Sequence, residues 1–191
     1  MERRPGLPAE GTVILGLDPG TAATGYGVVE HRGNRLTSLG YGVIQTPAGE
    51  ALHHRLETIY AEVEAVLARF SPAAAAVESL FFNVNVRTAL AVGQARGVAL
   101  LACSRSGCSL FEYTPQQVKQ SVVGYGKAEK SQVQEMVRVI LGLPEIPRPD
   151  HAADALGVAI CHAHGEGMRA GVARALAGSD RRAGSAGACR R

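Results

Sequence analysis

The chain has 191 residues, of which 46% are hydrophobic and 19% charged, and its net charge is +3. This length fits a single domain, and the composition supports a packed core rather than a disordered polyelectrolyte. No apolar run reaches membrane-spanning length, the first eleven residues lack the apolar stretch of a signal peptide, and the four cysteines form no Cys-x-x-Cys pair. We therefore do not expect a membrane protein, a fibrous protein or a secreted disulfide scaffold. We expect a cytoplasmic protein.

The amino-terminal part of the chain predicts three strands joined by short turns. Thr12–Asp18 is a short apolar run that is typical of a buried strand, and the DPGT sequence at residues 18–21 has the composition of a turn. Two more strands are predicted over Gly25–Glu30 and Arg35–Gln45. Short connections between successive strands imply an antiparallel meander.

The rest of the chain alternates helices with short strands. Apolar residues recur at steps of three and four over the predicted helix Glu50–Phe70, which gives it one apolar face. The further predicted elements, in chain order, are strand Ala73–Val77, helix Val84–Cys103, strand Ser109–Tyr113, a helix capped by Thr114, a helix capped by Ser131 and ending at Leu141, and a helix from His151 to about His164 capped by Asp150. This order predicts an α/β fold with a mixed sheet, three antiparallel strands followed by parallel ones, and helices on both faces.

Positive charge is concentrated near the carboxyl end. Residues 165–191 contain six arginines but only two acidic residues, so the preceding part of the chain is close to neutral. These residues are rich in Gly, Ala and Ser and are predicted to form a disordered basic tail, while residues 1–11 are predicted to be a flexible extension of a domain at 12–164. Nucleic acid would then have to bind through a local patch of charge rather than a general positive field.

Four residues from three separate segments have side chains suited to a divalent cation. Asp18 and Glu78 each follow a predicted strand, and neighbouring parallel strands would bring both to one edge of the sheet. His151 and Asp154 are three positions apart, on one face of the last helix. Either carboxylate alone is better explained by an ion pair or a helix cap. Together the four offer ligands for Mg²⁺ or Mn²⁺, and two such ions suit the displacement of a phosphodiester.

Several motifs, in this order, resemble those of the RuvC Holliday-junction resolvases. The first matches are GLDPG at residues 16–20, TGYGV at 24–28 and VESLF at 77–81. The others are GQARG at residues 93–97, QVKQSVVG at 117–124, AEKSQV at 128–133 and DHAADAL at 150–156. Each motif alone is weak, whereas the ordered set covers about residues 12–164 and is specific.

The resemblance implies a ribonuclease-H-like fold, a homodimer, and metal-dependent nicking of two opposed strands of a four-way junction during recombination and repair. It also implies a branch-migration complex of the RuvA and RuvB type as partner. Asp18, Glu78 and Asp154 match the family's metal-binding carboxylates. His151 stands where many members have a fourth aspartate and some a histidine. We expect these four residues to be catalytic and to hold two Mg²⁺ or Mn²⁺ ions, with a preference for Mn²⁺ because imidazole nitrogen suits it better.

Candidate DNA-binding residues come from two segments. The only three lysines, Lys119, Lys127 and Lys130, lie within twelve residues, and a compact ammonium group suits contact with phosphate. The resemblance gives Lys119 and Lys130 a catalytic role, which we interpret as stabilising charge in the transition state. Phe81 matches a family aromatic implicated in unstacking junction bases, although core packing is the simpler explanation for one of Phe81 and its neighbour. The other candidates in this segment are Phe82, Asn85 and Arg87.

Gly93 and Gly97 form a small-residue face on the second predicted helix. Such a face permits either close packing of the helix on the sheet of the same chain or a contact with the same helix of a second chain across a two-fold axis. The sequence leaves both alternatives open.

Two other functions remain to be considered. The DPGT turn at residues 18–21 also resembles the phosphate loop of actin-like ATPases and sugar kinases. Those enzymes use a second such loop in a duplicated domain, and this chain shows neither. A non-catalytic DNA-junction-binding module on the same fold is the other alternative, and the presence of all the acidic positions argues against it.

Overall fold

The computed structural model describes residues 11–79 and 86–165, with the main chain alone at residues 86–88. The strands are β1 (Thr12–Asp18), β2 (Ala23–Arg32), β3 (Arg35–Gln45), β4 (Ala74–Glu78) and β5 (Ser109–Tyr113). The helices are α1 (Leu52–Phe70), α2 (Val86–Ser106), α3 (Pro115–Val123), α4 (Lys130–Leu141) and α5, which spans residues 150–165. The extension and tail predicted from the sequence fall almost wholly outside the described residues.

The five strands form one mixed sheet in the order β3-β2-β1-β4-β5. β2 is antiparallel to both β1 and β3, as the short turns predict. β4 lies parallel to β1, and β5 lies parallel to β4. Because β1, β4 and β5 run in the same direction, their last residues, Asp18, Glu78 and Tyr113, lie at one edge of the sheet.

Helices cover both faces of the sheet, which confirms the predicted fold class. Alternate residues of each strand point to opposite faces. Leu15 and Val77 therefore pack in one core with α1 and α2, whereas Ile14 and Ala76 pack in the other with α3, α4 and α5. None of the described helices is both long enough and apolar enough to cross a bilayer.

Three predicted helix starts are wrong by one or two residues. α1 begins at Leu52 rather than at Glu50. α4 begins at Lys130, with Glu129 rather than Ser131 at its N-cap. The reason is a hydrogen bond from the Glu129 N–H to Gln132 Oε1, 2.9 Å long, which satisfies a backbone donor that the helix itself leaves unpaired. α5 begins at residue 150, so Asp150 lies in its first turn instead of preceding it as a cap. β2 also extends two residues beyond its predicted bounds at each end, because β3 pairs with it along its whole length.

Candidate metal centre

Three glycines allow α5 to lie directly against the sheet. Gly16, Gly25 and Gly27 stand on the face of β1 and β2 that α5 covers. A Cβ atom on Gly16 would overlap the carbonyl oxygen of Ala155, and one on Gly25 would overlap the carbonyl oxygen of His151. The helix backbone thus contacts the strand backbone with no side chain between them. This close approach brings the first turn of α5 to the end of β1.

Asp18, His151 and Asp154 come together at that point. Their ligand atoms all lie within 4.8 Å of one another. The His151 Nδ1 atom is 2.7 Å from Asp18 Oδ2, although the two residues are 133 positions apart in the chain. The predicted convergence of distant residues is therefore observed for these three.

Glu78 lies beside this group rather than within it. It lines a cavity of 230 Å³ together with Asp154, Lys119 and Lys130. Burial, together with the charges of Asp18 and Asp154, raises the pKa of Glu78 to about 7, although the two lysines oppose this rise. The carboxylates at this edge therefore repel one another, and a bound cation would relieve the repulsion.

Two of the three lysines border the acidic cluster. Lys130 Nζ is 2.9 Å from Asp154 Oδ2 and 3.4 Å from Asp150 Oδ2. Burial lowers the pKa of Lys130, but the contacts with these carboxylates outweigh it and hold the pKa above its ordinary value. Burial raises the pKa of Asp154 in spite of Lys130. Lys119 also lines the cavity, whereas Lys127 is exposed in the connection between α3 and α4 and does not line it.

The candidate DNA-binding residues near Glu78 are not placed by the structure. Phe81, Phe82 and Asn85 lie outside the described residues. Of Arg87 only the main chain is described, in the first turn of α2. Their predicted contact with DNA stays a prediction.

Two residues at the site are not among those predicted from the sequence. Asp150 contacts Lys130 and stands at the start of the motif that contains His151, yet its sequence position is equally typical of a helix cap. Arg96 is buried, donates a hydrogen bond to the carbonyl oxygen of Glu78, and forms an ion pair with Glu112. Arg96 lies within the GQARG motif, but that motif is far from the acidic residues in sequence and carries no sign of a contact with them.

The side chains present fit a divalent cation. Carboxylate oxygens are hard ligands that Mg²⁺ and Mn²⁺ prefer, and one imidazole nitrogen favours Mn²⁺. Asp18, His151 and Asp154 are close enough to share an ion, and Glu78 adds a further carboxylate on the adjacent strand. The side chains of Asp18, His151 and Asp154 are partly exposed, at 22%, 47% and 30%.

Comparison with known proteins gives consistent matches. A family model described as "Crossover junction endodeoxyribonuclease RuvC" matches residues 14–162. A protein with that description from Heliobacterium modesticaldum is 62% identical over 152 residues, which cover 80% of this chain and 94% of the relative. One from Ruminiclostridium cellulolyticum is 56% identical over 169 residues, covering 88% of this chain and 99% of the relative.

A solved structure is also similar. Thermus thermophilus RuvC in complex with a Holliday junction substrate superposes with a TM-score of 0.79 at 43% sequence identity. The match covers 82% of this chain and 96% of the other.

Proposed function

The chain belongs to the RuvC family of crossover junction endodeoxyribonucleases, and we propose that Asp18, Glu78, His151 and Asp154 form its metal-binding active site. The protein is an endonuclease that resolves four-way (Holliday) DNA junctions in recombination and repair, and it depends on a divalent metal. The actin-like ATPase and the non-catalytic module are not favoured. The observation that supports this assignment of the site is the approach of Asp18, His151 and Asp154 to within 4.8 Å, beside Glu78.

In the mechanism that we propose, these four side chains would hold two divalent ions, Mg²⁺ or Mn²⁺. Ions bound there would supply Lewis-acid chemistry, activating a water molecule and neutralising charge on the scissile phosphate, so no protein nucleophile would be needed. Lys119 and Lys130, on the cavity wall, bind the phosphate and stabilise the negative charge that develops in the transition state. The contacts of Lys130 with two carboxylates keep its ammonium group at the mouth of the site before DNA binds.

A cleavage assay on synthetic DNA tests this function. We expect a four-way junction to be nicked symmetrically in two opposed strands with Mg²⁺ or Mn²⁺, and to stay intact in EDTA. Linear duplex of the same sequence should remain uncut, and ATP should not be hydrolysed. Binding of the junction without any nicking would support the non-catalytic alternative, and hydrolysis of ATP would support the phosphotransferase alternative.

The choice of metal should depend on His151. We expect nicking to be faster with Mn²⁺ than with Mg²⁺ at equal concentration, by roughly tenfold, the ratio that ~1.4 kcal/mol of extra ligand affinity gives. The His151→Asp variant should narrow the ratio, because a carboxylate restores an all-oxygen ligand set. Initial rates over a metal titration provide the measurement. Equal rates with both metals in the unmodified protein would contradict the role of His151.

An exposed face of α2 supports a homodimer. Leu90 and Leu101 are 64% and 53% exposed, and they lie on the same helix face as Gly93 and Gly97. No described atom lies within 4 Å of a Cβ placed on either glycine, so these glycines do not serve packing on the sheet. Among the described residues nothing covers this face, so it can pack against the same face of a second chain. A two-fold dimer would present two active sites to two opposed strands of a junction.

This dimer predicts the effect of a charge on α2. The Leu101→Glu variant would bury an uncompensated carboxylate twice in the interface, at a cost of ~3 kcal/mol or more each. We expect the dimer dissociation constant to rise by at least ~100-fold, as measured by light scattering over a dilution series. Val139→Glu is the matched control, since Val139 on α4 is also 53% exposed. A Leu101→Glu protein that remains as dimeric as the control would place the interface elsewhere.

Phe81 gives a prediction that separates binding from cleavage. If its ring is inserted between junction bases, the contacts in the opened DNA offset the cost of unstacking, a few kcal/mol. We expect Phe81→Ala to bind the junction nearly as well as the unmodified protein but to cut it at least ~10-fold more slowly, since stacking of a base on an aromatic ring contributes ~1–3 kcal/mol. Gel-shift and single-turnover assays measure the two effects. Full cleavage by the variant would exclude the wedge.

The proposed function also includes partners beyond DNA. We expect a branch-migration complex of the RuvA and RuvB type to present the moving junction, and we expect the protein to act in the cytoplasm, where its DNA substrate lies. Co-purification of the complex on a synthetic junction tests this expectation. Resolution that is indifferent to the branch-migration proteins in a coupled assay would contradict it.

A further inference from the structure

Arg96 holds the peptide unit that follows Glu78. It lies on α2, packed on the sheet face opposite to α5, and is only 7% exposed. Its guanidinium donates a hydrogen bond to the carbonyl oxygen of Glu78, and its Nη2 atom is 2.8 Å from Glu112 Oε2 on β5. The N–H of Ser79, at the other end of the same peptide unit, donates to the carbonyl oxygen of Tyr113 at 2.7 Å. The peptide between Glu78 and Ser79 is thus held from both sides.

These two contacts, from Arg96 and from the Tyr113 carbonyl, hold the chain at the point where strand β4 ends. Glu78 is the last residue of β4, and Ser79 lies outside the strand. The orientation of the peptide after Glu78 sets its ψ angle and, with the strand before it, the direction of its Cα–Cβ bond. A guanidinium buried to this extent is tolerated only when its donors are used. The Arg96 guanidinium donates to the carbonyl oxygen of Glu78, at the end of β4, and pairs with the Glu112 carboxylate on the neighbouring strand β5.

The contact reaches Glu78 through its main chain rather than through its carboxylate charge. The charged groups that set the pKa of the Glu78 carboxyl are Asp18, Asp154, Lys119 and Lys130, all on the α5 side of the sheet edge. The positive charge of Arg96 is instead matched by Glu112, which is 57% exposed on the α2 side. An effect of Arg96 on the metal site would therefore be one of geometry.

We propose that Arg96 is a positioning residue that orients Glu78 for metal binding by fixing the peptide between Glu78 and Ser79. The inference rests on the proposed role of Glu78 as a metal ligand. Groups that orient a ligand without touching the metal commonly change metal affinity by ~10–100-fold when they are removed. Arg96 differs from such groups only in acting on the backbone of the ligand instead of on its side chain.

Binding of Mn²⁺ to the full chain, measured by calorimetry without DNA, tests the proposal. Arg96→Gln should weaken Mn²⁺ binding by ~10–100-fold. Arg96→Lys should recover part of the loss, because its ammonium group can still donate to the Glu78 carbonyl. Glu112→Gln should stay near the unmodified affinity, since it removes the ion pair but leaves that hydrogen bond. Val63→Ala, which truncates a fully buried residue in the core under α1 and α2, controls for a general loss of stability.

The outcomes separate this inference from the proposed function. If Glu78→Gln weakens Mn²⁺ binding and Arg96→Gln does not, the positioning role is overturned while the metal site stands. If Glu78→Gln has no effect, Glu78 is not a ligand, and both proposals fail. A loss in Val63→Ala or Glu112→Gln as large as that in Arg96→Gln would also overturn the inference. Should Arg96→Gln not fold, Arg96→Met replaces it, because methionine fills similar space without a donor. An unmodified Mn²⁺ affinity in Arg96→Met would overturn the positioning role.

Discussion

Replacing Glu78 with glutamine should lower the rate of junction nicking by on the order of 10³-fold, the range seen when one group that stabilises transition-state charge is removed. Glutamine has nearly the same shape, so the fold should be kept, but it binds a divalent cation much less well than a carboxylate does. Junction binding in EDTA should be as tight as in the unmodified protein or tighter, because one negative charge is removed near the DNA. Single-turnover cleavage and gel-shift assays measure the two quantities.

The control for this substitution is Glu62→Gln, which makes the same chemical change on the exposed surface of α1. It should leave both binding and cleavage unchanged. If Glu78→Gln kept more than about a tenth of the unmodified rate, less than ~1.4 kcal/mol of transition-state stabilisation would be lost. Glu78 would then have no place in the active site, and the proposed mechanism would fail.

Replacing Gly25 with alanine should both destabilise the fold and slow cleavage. A Cβ at this position would overlap the main chain of His151, which cannot yield without moving α5. Overpacking of this kind costs ~3 kcal/mol, which lowers the melting temperature by roughly 6–12 °C for a chain of this size. A displacement of His151 and Asp154 by ~1 Å would also reduce the rate by ~100-fold, even at temperatures where the protein remains folded.

Gly49→Ala is the matched control. Gly49 lies in the exposed connection before α1, with no described atom within 4 Å of its added Cβ and no positive φ. Alanine there should be neutral or slightly stabilising, because it restricts the unfolded chain. Thermal unfolding in EDTA and cleavage at a temperature well below the transition measure both variants. A Gly25→Ala protein with an unchanged melting temperature would show that α5 does not depend on the glycine face.

Local sequence was enough to predict the elements of this fold. The apolar run that forms β1, the three-and-four spacing of α1 and the Thr114-Pro115 start of α3 each reflect interactions within a few residues. The ends of the elements were less predictable where neighbouring residues could each serve as the helix cap. The sequence predicts Ser131 as the cap of α4, but the hydrogen bond from the Glu129 N–H to the Gln132 side chain makes Glu129 the N-cap instead.

The sequence could predict that the candidate acidic residues lie near one another, because two of them end strands and Asp154 lies near the start of a helix. Asp18 and Glu78 end strands that run parallel, so a shared edge follows once the strand order is known. Arg96 was not predictable in the same way. Its contact with the Glu78 carbonyl depends on how α2 packs across the opposite face of the sheet. The sequence of α2 alone does not predict that packing.

By itself, the order of residues determined the strands, the helices, the family resemblance and the four candidate metal ligands, because hydrophobic periodicity and short motifs are properties of neighbours along the chain. Only the tertiary structure decided that the backbone of α5 lies directly on Gly16 and Gly25. It also decided that Glu78 lies beside the group of Asp18, His151 and Asp154. The hydrogen bond from Arg96 to the Glu78 carbonyl, made from the opposite face of the sheet, is likewise visible only in the tertiary structure. Those arrangements depend on distances between elements, which close packing fixes only when the whole core has formed.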